Sequence, residues 1–578
     1  MPKKKQFLQT SAKQPARGKK KEPEPQTEDD FLDAADEFEK SAGKWRAGDA
    51  AKSARFFQRA VDAYAAGLQK FPQSFDLAYN KALLEYQIAQ DLRIAAQIGP
   101  PLVDLLRQAL DSHRFAIVLN PDNLDILFNT ANVLSDLADR VNKAEAVPLL
   151  HESVQCIRHC LERQVQEYES LQAAFLAANS GDPDAPMDAA PPSAEKSSSG
   201  SSAEEYASVE EAVTESAILD SVFFMANTLA DLLSIMPAEE LDAISKDVET
   251  VVGFFTSGAL QPYFEKLDRT VPEPEKKTPT LSLSLSAAPP KPTLAQPSEH
   301  DSALAEGSLA QARLFSAVSE AEYRRGERTA ASWYAVVLAK FADITSPPSS
   351  SSSAPPPSLP SPADAHSALI DALSAIATAT ATSAPSPAAA AQAESTYLAQ
   401  APSAAIDSSA AEPGPPAAPQ DVTDDDAAAA AVHADALKRA YHVLAATLSP
   451  PPPPSDDKAP QLYVALGDVH WRLRGAAVAG SQGDVAAAVA QARRAEACWE
   501  EAERRARGVG VQCAEEEVEA RGKRVVSVVL RGGGGSGRVL GGGGEAREVA
   551  VQAVQEMRED ELLGDVLAEH ALKVLGAA

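Results

Sequence analysis

The chain has 578 residues, 82 acidic against 53 basic, and a formal charge of −29. A surface this acidic repels phosphates and disfavours nucleic acid as a direct ligand, and no run of about 18 or more apolar residues free of charge reads as a membrane span. Four cysteines in such a length make no disulfide framework and point to a reducing compartment, while 42 prolines with abundant alanine and serine point to stretches unable to bury a core.

Residues 1–28 form a basic tail expected to be disordered. Lys3, Lys4, Lys5, Lys13, Arg17, Lys19, Lys20 and Lys21 make its first part strongly positive. No apolar core follows the lysines, so they do not read as a secretory signal. Two clusters, Lys3–Lys5 and Arg17–Lys21, have the spacing of a bipartite import signal; the alternative is a solubilising tail. The expected address is the nucleus, the cytoplasm or both.

Residues 29–178 read as back-to-back helical hairpins. A spacing recurs on the second helix of each: Ala60, Tyr64, Gly67 and Pro72, then Ala109, His113, Ala116 and Pro121. A weaker copy, Ser153, Ile157 and Cys160, lacks the proline. Small residues on one helical stripe let two helices approach, and a proline cannot continue a helix, so it separates one hairpin from the next. Opening helices follow each proline, with Tyr79-Asn80 and Ala82 aligning with Phe128-Asn129 and Ala131.

In these motifs the chain resembles the tetratricopeptide-repeat family. The resemblance implies stacked helical hairpins whose opening helices line a concave, partner-binding face, because one hairpin cannot bury its apolar side alone. The chain departs from the family in length. Its units run close to ~34 residues, whereas Pro72 and Pro121 lie 49 positions apart (121 − 72).

Residues 179–215 read as an acidic, Pro/Ser-containing linker, 216–268 as a degenerate helical repeat, 269–301 as a Pro-rich linker and 302–343 as a helical pair. The Pro/Ser/Ala stretch 344–425 is expected to be disordered, since it offers little apolar surface against the ordering entropy. Repeat-like helices return over 426–530. Tyr463 stands there at the family's usual tryptophan position, Leu466-Gly467 fills its Leu-Gly pair, and Ala495, Trp499 and Ala502 repeat the second-helix spacing. A Gly-rich loop (531–544) and a C-terminal helix (545–578) complete the reading. The expected fold is all-α, a tetratricopeptide-like helical solenoid with long disordered insertions.

No catalytic, cofactor or metal site emerges. His151, Cys156, His159 and Cys160 are ligands by type, but they share one helix, and Cys160 falls on the small-residue stripe, which reads as packing. The glycine run Arg531–Arg538 lacks the Gly-Lys-Ser/Thr of a phosphate loop and the βαβ setting of a dinucleotide site. The expected function is therefore non-enzymatic: a scaffold or escort for a protein partner, a peptide or basic nuclear client such as a ribosomal protein or histone, on the concave face. Asn80, Asn129 and Asn132, polar residues on otherwise apolar opening helices, are the candidate partner-binding residues; the alternative is that each ties neighbouring helices together. A chaperone adaptor with a carboxylate clamp is the other reading. Its Lys-x3-Asn opening is not found, because Lys40 leads to Lys44 and Lys44 to Gly48.

Overall fold

The computed structural model describes residues 25–179, 213–267, 298–345, 360–381, 395, 398–399, 424–449, 451–452, 456, 458–479, 485–510, 513–530, 544–559 and 562–575. These form 19 α-helices, with no strand among the described residues, so the fold is all-α. The chain divides into two compact units, residues 1–100 and 101–578. The expected single block 29–178 is thus split at Pro100-Pro101, where Gly99 takes a positive φ of 109° that few other residues tolerate.

The first unit holds α1 (Glu28–Arg46), α2 (Ala50–Lys70), α3 (Phe75–Gln90) and α4 (Leu92–Ile98). A reciprocal cap starts α1. Thr27 Oγ accepts from the Asp30 amide at 3.2 Å, and Asp30 accepts from the Thr27 amide at 2.9 Å. The recurring spacing lies at helix contacts: Ala60 is 0% and Tyr64 4% exposed, and the Tyr64 hydroxyl donates to Glu39 across the α1–α2 hairpin at 2.6 Å. Gly67 is required by proximity. A Cβ there would lie 3.0 Å from Leu77 Cδ1 and 3.1 Å from Phe31 Cβ. The short α4 and the Gly99 turn take up part of the extra length between Pro72 and Pro121.

The second unit runs through α5 (Leu102–Leu119), α6 (Leu124–Ala138), α7 (Lys143–Asn179), α8 (Glu215–Ile235), a 3₁₀ turn (Ala238–Ile244), α9 (Ser245–Thr256), α10 (Gln261–Lys266), α11 (Glu299–Arg324) and α12 (Ala330–Thr345). It continues with α13 (Pro362–Ala381), α14 (Asp424–Thr447), α15 (Ala459–Ala479), α16 (Val485–Val509), α17 (Ala514–Leu530), α18 (Gly544–Glu559) and α19 (Asp565–Leu575). The same small-residue stripes are buried here: Ala109, His113 and Ala116 on α5, and Ser153, Ile157 and Cys160 on α7. Ser153 Oγ donates to the Ala131 carbonyl at 2.9 Å and so ties α7 to α6.

Three cores follow one another along this unit. The first joins Leu127, Ile157, Leu229 and Leu314; the second Trp333, Leu373, Leu444 and Val469; the third Trp471, Trp499, Val526 and Met557. Helix α15 contributes Val469 to one and Trp471 to the next, as stacked repeats do. Gly467 permits this junction, since a Cβ there would sit 2.6 Å from Trp499 Cδ1. Helix α8 is long and apolar enough by composition to cross a membrane, yet 67% of its most apolar window is buried in the first core.

Two further expectations are corrected. Residues 344–425 were expected to be disordered, yet 362–381 form α13, with Leu369, Leu373, Ile376 and Ala377 buried in the second core. Apolar residues recur there on one helical stripe, and neighbouring helices supply the surface that the segment's composition lacks. The final segment, expected as one helix, is two, α18 and α19. The basic tail through Glu24 and most of the linkers and the Gly-rich loop lie outside the described residues.

Candidate partner-binding groove

The three candidate asparagines are divided between the two units. Asn80 belongs to the first unit, Asn129 and Asn132 to the second. The Asn80 amide donates to the Asp76 carbonyl at 2.8 Å and that of Asn132 to the Phe128 carbonyl at 2.9 Å, each within its own helix. Asn129 is half-buried on α6. Lys3, Lys4, Lys5, Arg17, Lys19, Lys20 and Lys21 lie outside the described residues.

The second unit contains a groove of about 930 Å³, lined from the start of α7, the ends of α8, α11 and α18, and one face each of α13 and α15. Its walls carry both signs, but the charges are committed differently. Arg324 turns back to the end of α8, donating to the Met236 carbonyl at 2.5 Å and to that of Leu233, so its charge offsets the negative pole of that helix. Arg328 pairs with Glu322 at 2.5 Å and donates to Ser332 Oγ at 3.0 Å. Asp468 is held by buried Lys523 at 2.7 Å and by the Trp499 indole at 3.1 Å. Burial disfavours the Lys523 charge, but Asp468 and Glu519 outweigh it and hold its ammonium proton above the ordinary range.

Glu320 and Asp371 are less fully compensated. Desolvation raises the Glu320 carboxyl to about 7 against the pull of Arg324, whose Nε lies 3.8 Å away, and of Lys143. Asp371 keeps contact with water, yet the walls around it remove enough hydration to raise its carboxyl, with Arg313 acting in the other direction. Arg313 donates to Asp231 at 2.9 Å and to Asn227 Oδ1 at 3.2 Å. Its charge also bears on Asp139 at the end of α6, and all three aspartates are raised first by desolvation. The Arg313 guanidinium thus bears on carboxylates from three helices or their ends, with Arg140 acting beside it on Asp139, and desolvation still raises all three.

Among the described residues no group of three or more His, Cys, Asp or Glu could hold a metal ion. Cys160 donates to the Leu124 carbonyl at 3.5 Å, and burial pushes its thiol up to about 12 and that of Cys156 up to about 11, which keeps both protonated and unreactive near neutrality. His159 faces Asp122 at 3.3 Å on the surface.

Sequence reasoning missed Glu320, Asp371 and Arg313. Each is a common charge on a helix, without a motif, and Asp371 falls in the stretch read as low complexity. A charge set into an apolar helical stripe, as in Leu369-Ile370-Asp371-Ala372-Leu373, was the available signal.

No known family profile matches the chain. A Schizosaccharomyces pombe protein, UPF0656 protein C926.02, is 29% identical over 145 residues, 24% of this chain and 32% of that protein. The match therefore spans about a third of that curated relative's length.

Proposed function

We propose that the chain is a non-enzymatic, tetratricopeptide-like escort that holds a basic nuclear client, a ribosomal protein or a histone, in the groove of its second unit. The observation that carries this reading is the commitment of the groove's charges. Arg324 and Arg328 are engaged by groups of the walls, while Glu320 and Asp371 are left undercompensated. A lysine or arginine of a client restores the balance. The whole-chain charge of −29 steers such a client from a distance.

The test is capture on the immobilised full chain from nuclear extract, with mass spectrometry of what is held. The parent is expected to enrich ribosomal proteins or histones, and Glu320→Gln with Asp371→Asn to release them at moderate salt. Equal capture by parent and double variant, or a bound set dominated by acidic proteins, would sink the reading.

A further inference from the structure

The groove lies between two arms of the second unit that are remote in sequence. Lys143, at the start of α7, lines it together with Asp468 on α15, Glu559 at the end of α18 and Leu562 just beyond that helix. Among the described residues no extended helix-on-helix packing joins α6 or α7 to α17, α18 or α19. Instead, Arg140, in the turn between α6 and α7, meets Glu515, in the first turn of α17, across 375 residues of sequence. Its Nη1 donates to both carboxylate oxygens at 2.9 Å, and the two side chains are 30% and 71% exposed.

We propose that this ion pair is a charge latch that sets how far the two arms stand apart, and so how readily a partner segment enters the groove. Each charge is already favoured where it stands: Arg140 follows the carboxyl end of α6, and Glu515 lies at the amino end of α17. Neither side chain is buried in the contact, so it opens without exposing a buried group. An exposed pair of this kind shifts an equilibrium by up to about fivefold. That is enough to bias the arms toward closure and weak enough for a cationic partner to compete for Glu515. The latch itself rests on the Arg140–Glu515 geometry, and only the competition for Glu515 rests on the client being basic.

Its test uses the full chain without any client. Donor and acceptor dyes are placed on noncanonical residues at Asn142 and Gln555, one on each arm, and energy transfer is followed as salt rises. The Debye length shrinks from roughly 30 Å at 0.01 M to about 3 Å at 1 M, so transfer in the parent is expected to fall over that range. Arg140→Glu should start low and stay low. Glu515→Gln, a neutral change at an exposed side chain, should fall between the two, and the exchanged pair Arg140→Glu with Glu515→Arg should recover both the high transfer and its salt dependence. Transfer that ignores salt in the parent, Glu515→Gln behaving as the parent at low salt, or an exchanged pair no better than Arg140→Glu alone would each overturn the latch.

Discussion

Glu320 shows how a single side chain reports on the groove. Desolvation holds its carboxyl up to about 7, above the ordinary 4.5. Between those values the native chain keeps a proton that the unfolded chain gives up, so the contribution of this group to stability is full below about pH 4.5 and declines as pH rises through about 7. Glu320→Gln removes that decline. The variant is expected to gain roughly 2–3 kcal/mol over the parent at pH 8 and little at pH 4.5, as measured by denaturant unfolding at each pH. The same difference at both values would mean that Glu320 is not desolvated by the groove walls. The asparagines teach the converse. Asn80 and Asn132 stand out in sequence because they are polar among apolar neighbours, but each amide is satisfied by a carbonyl four residues back on its own helix.

Helix α13 carries the main lesson at the level of elements. Its alanine-rich sequence and its Pro/Ser flanks match a disordered stretch in composition, and only its apolar stripe distinguishes it. Leu373 and Ile376 are both 0% exposed in the core shared with α12, α14 and α15. The half-buried His433 ring on α14 meets the Ala377 carbonyl on α13 at 2.8 Å, which fixes the facing of the two helices. Leu373→Ala is expected to cost about 2–5 kcal/mol and to lower the main melting transition in a thermal scan. A parental melt would show that the segment adds nothing to the core and that the region can be deleted freely.

Charge organises the molecule as a whole. The first 21 residues hold eight basic side chains and no acidic one, and the excess of carboxylates lies in the rest. Changing Lys3, Lys4, Lys5, Lys19, Lys20 and Lys21 together to Ala is expected to reduce nuclear accumulation of a fluorescent fusion, as read by quantitative imaging. An unchanged distribution would leave the tail a solubiliser. The variant keeps the groove, so its capture of clients from extract should match the parent, which separates an address from a binding site.

The all-α class and the register of the small-residue stripes were legible in the sequence, because both depend on neighbours three and four positions away on one helix. Ala60, Tyr64 and Gly67, like Ala495, Trp499 and Ala502, are buried at the spacing that their periodicity demands. The break between the two units, the recruitment of α13, the sharing of Arg313 among Asp139, Asp231 and Asp371, and the meeting of Arg140 with Glu515 were decided by tertiary structure. Each depends on groups far apart in the chain, and an isolated aspartate or arginine on a helix carries no local mark of the distant charge it will face.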